Sequence, residues 1–373
     1  MVIGVLKEIK PNEYRVAAIP ATVAEITARG HKVLVQKDAG KGSGYSDAEY
    51  EAAGATILDT AEEVFRQADL FYKVKEMFPE EWKYMARDKI VFTYIHSNSH
   101  PDQTDAILNS KVTAIAYEDI TDNEGNFPLL KPMSILAGKG GFLAALHHMQ
   151  SVFGGNGTLL ANVCGIETPV VTIIGAGNSG VGAAELAAGF GNTVRILDVN
   201  MKAMEAAKAK LPANVSFMIS NRENLVKCLR DSDVIINCIL WPKHRKDHLI
   251  NKADLALMKP SAMIVDVACD DEGAVETCRS TTHDDPVYYV DGILHYCVDN
   301  IPSAFARTAS IMLATATLPY LLEIANKGAE TALKENSHLR KGLTAYDGML
   351  TLQETALKQN RPLTDVEELV KQF

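Results

Sequence analysis

The chain reads as an α/β protein with two parallel sheets, one domain being inserted into a discontinuous other. Three features of the sequence predict this. Short apolar runs alternate with amphipathic stretches through most of the 373 residues, which is the rhythm of repeated βαβ units. One run, Val170 to Ile174, is apolar throughout, as in a strand buried on both faces, and leads into Gly175-Ala176-Gly177-Asn178-Ser179-Gly180. Far downstream, Ala306 to Gly328 is a long and largely apolar helical segment, suited to carrying the chain back to the first domain.

From the start, strands are expected at Val2 to Leu6, Lys32 to Gln36, Leu70 to Val74, Ile90 to Tyr94 and Val112 to Ala116. Helical patterns separate them at Ala21 to Arg29, Asp47 to Ala53, Ala61 to Ala68 and Gln103 to Ser110. Gly40, Gly42 and Gly44 lack the spacing of a phosphate-binding junction, so Ala39 to Tyr45 reads as a turn. Composition changes between Leu129 and Gly157, where a helix can follow Lys131-Pro132 and Gly154 to Gly157 signals a loop. This is the expected crossing into the second domain. There the strand and glycine turn are followed by an alanine-rich helix, a strand from Thr193 to Leu197, and Asp198. Further strands are expected at Val215 to Ile219, Val234 to Leu240, Ala262 to Ala268 and Val287 to Val290, and the tail from Leu339 to Phe373 reads as amphipathic helices.

The glycine turn has a mechanical reading. Gly175 allows a tight turn, Gly177 lets backbone N–H groups approach a pyrophosphate, and Gly180 lets the helix pack on the strand, with the helix N-terminus facing the phosphates. Asp198 is placed to accept from the hydroxyls of an adenosine ribose and to repel a 2′-phosphate. The expected cofactor is therefore NAD rather than NADP. The domains are expected at 129–305, an NAD-binding Rossmann domain, and at 1–128 with 306–373, a substrate-binding and catalytic domain. Both should be Rossmann-like, with ligands beyond the carboxyl ends of the strands.

A net charge of −10 and a pI near 5.5 argue against nucleic acid and acidic membrane surfaces as partners. No leader pattern opens the chain and no run of about 18 apolar residues occurs, so a cytoplasmic protein is expected. The six cysteines include no CxxC pair and read as small buried thiols.

Polar residues at the expected strand ends are the candidate chemistry: Lys75 in KVKE, His96 in FTYIHSNSH, Arg15 in NEYRVA, Asp270 in VACDDEG and Asn300 in HYCVDN. A single Arg or Lys at such a place is ordinarily solvated surface. His96 and His100 have the spacing of a helical metal pair, but Asn98 to Pro101 argues against one helix there. Asp270-Asp271-Glu272 lacks the spaced oxygen ligands that calcium needs. No metal is expected, and His147-His148 are given no role.

Over nearly its whole length the sequence resembles the bacterial L-alanine dehydrogenase family. The matching blocks run from GVLKEIKPNEYRVA through KVKE, FTYIH, VTAIAYE, PMS, the glycine turn, ILDVN, MKPSAMIVDVACDDEGAVETCRSTTHDDP and VDGILHYCVDN to ATLPY and GLTAYDGMLT. The resemblance implies reversible oxidative deamination of L-alanine to pyruvate and ammonia with NAD. It implies that Arg15 holds the substrate carboxylate, that Lys75 holds the keto oxygen, and that His96 and Asp270 are the catalytic pair. Met133 and Ser134 match the PMS pair, Met133 on the substrate side and Ser134 on the cofactor side. For NAD it implies Asn178, Ser179, Asp198, Ser220, Ile239, Leu240, Val267, Asp270, Arg279, Val298 and Asn300, with Asn300 also near the substrate. A homo-oligomer, often a hexamer, is implied too.

Three departures from the family pattern stand out. ILAGKGGFLAALHHMQ replaces an EVAGRM-like continuation after PMS, Ala203 replaces a basic residue beside Lys202, and Trp241 to Lys246 is bulkier and more basic than usual. The first is expected to border the substrate cleft. It keeps open a larger amino acid, or an opine-type or saccharopine-type dehydrogenase that condenses an amine with a 2-oxo acid. A non-catalytic NAD-binding subunit like that of transhydrogenase is the remote alternative.

Overall fold

The computed structural model describes residues 1–242, 245–269 and 273–373. The chain forms two compact units, Met1–Pro132 with Ala306–Phe373, and Met133–Phe305. In chain order the strands are β1 (Val2–Val5), β2 (Lys32–Gln36), β3 (Thr56–Leu58), β4 (Leu70–Tyr72), β5 (Ile90–Thr93), β6 (Thr113–Ala116), β7 (Val170–Ile174), β8 (Thr193–Asp198), β9 (Val215–Ile219), β10 (Val234–Asn237), β11 (Met263–Asp266), β12 (Val287–Val290), β13 (Ile293–Tyr296), β14 (Leu343–Tyr346) and β15 (Met349–Leu350).

The first unit holds one sheet in the order β15-β14-β6-β5-β4-β1-β2-β3. β6 through β3 are parallel, and β14 and β15 add an antiparallel edge. Its long helix, Ala306–Lys327, is the one segment among the described residues that, extended back to Ile301, has the length and mean hydropathy (1.3) to cross a membrane. It is a core helix of this unit. Ala309, Leu313, Leu321 and Ile324 are buried, Ser310 accepts from the Val16 N–H at 2.9 Å, and Thr317 hydrogen-bonds Tyr72 on β4.

The second unit holds the order β12-β13-β11-β10-β7-β8-β9, parallel except for β12. Alternation along the strands sends Ile173, Ile196, Ile236 and Val265 into one core with the alanines of the helix Asn178–Gly189. Ile174, Leu197, Ile235 and Ile264 enter the core on the other face. Both faces are covered, which is why β7, β10 and β11 are nearly continuous apolar runs, while β8 keeps polar Thr193 and Arg195.

Three elements depart from the sequence reading. β3 is three residues long, too short to show a period. The tail is not purely helical, because β14 and β15 form a hairpin across Asp347-Gly348, with φ of 48° and 83°. β13 pairs back on β12 through the same device, Asp291-Gly292, with φ of 47° and 82°. Asp-Gly with both residues at positive φ is the type I′ turn whose twist matches a two-residue hairpin.

Candidate active site

In the second unit the parallel order reverses between β7 and β10, and ligands of open parallel sheets bind beyond the carboxyl ends of strands at such a point. The loop leaving β7 there is shaped by close contact. Gly175 sits at φ +108°, and a Cβ on it would lie 2.8 Å from the Ile239 side chain in the loop beyond β10. A Cβ on Gly180 would lie 1.8 Å from the Gly175 carbonyl oxygen, so the helix Asn178–Gly189 can start this close to the strand only with glycine. Gly177, the N-cap of that helix, is the opposite case: a Cβ on it would meet nothing within 4 Å. A glycine facing open space beside the first-turn amides of a 12-residue helix makes a seat for an anion.

Asp198 closes β8, and the backbone fixes its carboxylate, one oxygen accepting from the Ala176 N–H at 2.6 Å and the other from Asn200 at 2.8 Å. A carboxylate offers about four lone-pair directions, which leaves capacity for ribose hydroxyls. These residues fit a dinucleotide.

Other expected cofactor residues lie along the same carboxyl edge. Ser220 follows β9 and donates its N–H to the Asp198 carbonyl at 2.9 Å. Ile239 and Leu240 follow β10, with Leu240 79% exposed. Val267 follows β11, its N–H on the Asn237 carbonyl at 2.9 Å, and Val298 is buried beyond β13. Asn300 is buried, its carbonyl 3.1 Å from His283 Nε2. Arg279 is exposed, its guanidinium 4.1 Å from the centroid of the Tyr288 ring. Met133 is buried, and it and Ser134 lie in the first turn of the helix Lys131–His148. Asp270 lies outside the described residues.

The divergent segment after Ser134 packs inside the second unit. A Cβ on Gly138 would lie 1.8 Å from the Ser179 carbonyl oxygen, and one on Gly182 would lie 2.6 Å from that of Ile135. Gly140 faces Ile301 and Phe305, and Gly141 faces Val267 and Val265. These glycines let the helix press against the glycine turn and the sheet. Ala203 packs against the core, and in the basic loop Arg245 stacks on Trp241 and pairs with Asp247.

In the first unit the sequence candidates fall in a row. Arg15, Lys75 and His96 follow β1, β4 and β5, which are neighbours in the sheet, and Glu118 follows β6 on the next strand. Arg15 is buried and its Nε and Nη2 donate to the two carboxylate oxygens of buried Glu13, each at 2.6 Å. Burial opposes the charge, but Glu13 outweighs it and keeps the guanidinium more firmly protonated than usual. Lys75 is also buried. Burial first, then the charges of Arg15 and Lys10, holds its ammonium below the ordinary lysine range. Glu76 feels Lys75, Lys10 and His96 together, so these groups share one electrostatic neighbourhood.

His96 sits in the left-handed region at φ 50°, ψ 39°, a strained backbone for a residue other than glycine. Glu118 holds it there, accepting from the N–H groups of Ile95 and His96, and His96 Nδ1 lies 3.6 Å from the same carboxylate. The imidazole stacks on Tyr94 and is 41% exposed. Behind the row Lys73, fully buried, pairs with Glu81 at 2.8 Å and Glu8 at 3.4 Å. Burial pushes the Glu8 carboxyl up to about 7. The supporting carboxylates Glu8, Glu13, Glu76 and Glu118 escaped the sequence reading as site residues, although each lies in a quoted block. Their signal was a carboxylate just beyond a strand end, beside a basic candidate.

Residues 4–137 match the alanine dehydrogenase/PNT N-terminal domain family and residues 142–353 its C-terminal domain family. The chain is similar to the alanine dehydrogenase of Methanococcus maripaludis, 42% identical over the full length of both chains. It is also similar to that of Mycolicibacterium smegmatis, 39% identical over 99% of this chain and 100% of the other. A solved L-alanine dehydrogenase superposes with a TM-score of 0.92 at 34% identity, covering 96% of this chain and 99% of that one. The chain belongs to the alanine dehydrogenase/PNT family.

Proposed function

We propose that the chain catalyses the reversible, NAD-dependent oxidative deamination of L-alanine to pyruvate and ammonia. The observation that carries this reading is the row Arg15, Lys75, His96 on neighbouring strand ends, in a chain whose other unit presents a dinucleotide-shaped glycine turn. The residues proposed to hold NAD are Ser134, Gly175, Gly177, Asn178, Ser179, Gly180, Asp198, Ser220, Ile239, Leu240, Val267, Arg279, Val298 and Asn300. When bound, NAD supplies the acceptor for hydride from the substrate Cα.

Arg15 grips the substrate carboxylate. Glu13 engages two of the five guanidinium N–H groups and thereby fixes the plane of the fork, which a lysine could not reproduce. Lys75, buried beside Arg15, hydrogen-bonds the oxygen that becomes the ketone, and its lowered basicity makes it a better proton donor than an ordinary lysine. His96, aimed by Glu118, takes the proton from the water that attacks the imine and returns it to the departing amine. Asp270 shares the orientation of water and amine, and Met133 and Asn300 contact the substrate. The substrates are small molecules, and a homo-oligomer, hexameric by family resemblance, is part of the same reading.

Steady-state NAD reduction across the L-amino acids tests it, together with pyruvate reduction in ammonia and in larger amines. Alanine with ammonia as the preferred pair is expected. Robust turnover of a larger amino acid or amine with none of alanine would favour the larger-substrate and amine-condensing dehydrogenases. NAD binding with no turnover of any amino acid would favour a non-catalytic subunit.

A further inference from the structure

All six cysteines are thiols, and three of them, brought from separate segments of the second unit, meet around Cys297 at the end of β13. The Cys297 sulfur hydrogen-bonds the thiols of Cys269, beyond β11, and Cys278, between β11 and β12. The Tyr288 hydroxyl on β12 lies 3.5 Å from it. β11 and β13 are parallel neighbours, with Val265 opposite Tyr296, so the ends carrying Cys269 and Cys297 emerge side by side. Cys278 also hydrogen-bonds the Asp266 carboxyl at the end of β11, tying the third segment to the same point. Cys297 is buried, whereas Cys269 and Cys278 are partly exposed. Among the described residues no group of three or more His, Cys, Asp and Glu is arranged to hold a metal ion.

The geometry points to a thiol modification site in which a hydroperoxide oxidises this cluster and closes a reversible disulfide between Cys297 and Cys269 or Cys278. A partly exposed thiol sulfur attacks the peroxide O–O bond. An S–O bond forms, the O–O bond breaks, and water leaves a sulfenic acid behind. The Cys297 sulfur then attacks that sulfur, an S–S bond forms, the S–O bond breaks, and hydroxide leaves with the remaining thiol proton as a second water. Two thiols are oxidised and one hydrogen peroxide is reduced to two waters; a dithiol reverses the step. Hydrogen bonds from Cys269 first and Cys278 next hold the Cys297 thiol well below the usual range, so its attacking thiolate form is favoured. The bond that Cys278 donates pushes its own thiol up.

The three cysteines border proposed cofactor positions: Cys269 lies two residues past Val267, Cys278 precedes Arg279, and Cys297 precedes Val298. Closure therefore tightens the segments beneath the dinucleotide and lowers NAD affinity. This coupling rests on the dinucleotide reading above; the cross-link itself does not.

Treating the reduced full-length chain with stoichiometric hydrogen peroxide, followed by intact mass and peptide mapping, tests the site. Expected are a mass loss of about 2 Da from the two hydrogens that a disulfide removes, a cross-linked peptide containing Cys297, reversal by dithiothreitol, and at least about fivefold weaker NAD binding by the oxidised form. Cys297→Ser should abolish the cross-link, and mapping of the unmodified chain decides the matter should that variant fold poorly. Oxidation of exposed Cys164 with the three clustered thiols intact would overturn the proposal, as would a zinc ion retained by the reduced chain. Cross-linking with unchanged NAD affinity would overturn the coupling. Cross-linking in a chain that binds no NAD in either form would overturn the dinucleotide reading and leave the thiol site standing.

Discussion

In the unit that carries Gly175 to Gly180, the proposed cofactor positions are set by steric contact. In the other unit, Arg15, Lys75 and His96 are set by charge. The glycine turn exists because a Cβ at residue 180 would strike a carbonyl oxygen at 1.8 Å, and a helix presses on it because residue 138 has no Cβ either. The basic row is braced by carboxylates: Glu13 holds Arg15 from two residues away, Glu118 reaches across 22 residues to the His96 N–H, and Glu8 reaches across 66 to the Val74 N–H beside Lys75. A sterically made site leaves short, spaced signatures in sequence. A charge-made site leaves single residues that look like surface until their partners are placed.

The largest expected effect falls on the charge-made side. His96→Ala should lower kcat by roughly 10²–10⁴ while NAD affinity stays near that of the unmodified chain, which steady-state kinetics and calorimetric titration check. Near-normal kcat would move the acid/base role to Lys75 or Asp270. On the steric side, Gly180→Ala should reduce stability by about 3 kcal/mol or more, because backbone oxygen cannot yield to a Cβ as a side chain can. Gly177→Ala sharpens the contrast. Its Cβ enters open space, so thermal stability should hold while NAD affinity falls by about tenfold or more through loss of the phosphate approach. A Gly177→Ala chain that binds NAD normally would remove the pyrophosphate from that seat.

Smaller effects follow. Asp198→Ala should narrow a preference for NAD over NADP of about tenfold, one charge–charge clash of roughly 1.4 kcal/mol. Equal efficiency of the unmodified chain with both cofactors would contradict the ribose role. Glu13→Gln should raise KM for alanine more than it lowers kcat, because it loosens the Arg15 fork without removing it; the reverse split would place Glu13 in the chemistry.

The smallest concerns His148, which burial first, and then His147, push down to about 4. A histidine depressed in the folded state adds stability above its ordinary value near 6.5 and loses it as pH falls from there toward 4. Thermal melts over that window should show a decline that His148→Asn flattens. An unchanged slope would assign the decline to other groups.

The same contrast explains how much was legible in the sequence. Val170 to Ile174 and the glycines after it announce strand, turn and helix in consecutive residues, and the alternating runs announce both sheets. β13 and the β14–β15 hairpin are marked by Asp291-Gly292 and Asp347-Gly348, but strands of four, four and two residues are too short to show a period. Three-residue β3 carried no period. Glu13 and Glu118 could not be ranked above other exposed-looking acids, because what singles them out is burial and orientation toward Arg15 and His96. The packing of the glycines within Ile135 to Gln150 is hidden from the sequence for a related reason. Sequence shows missing side-chain volume but not what fills it, and here it is filled by Ser179, Phe305 and Val267.

The most direct measurement is product stoichiometry: the purified chain supplied with only L-alanine and NAD, with NADH, pyruvate and ammonia quantified in the same reaction. Equal amounts of all three, lost together in His96→Ala, are predicted. NADH without matching ammonia, or no NADH from alanine in a chain that binds NAD, would contradict oxidative deamination of alanine.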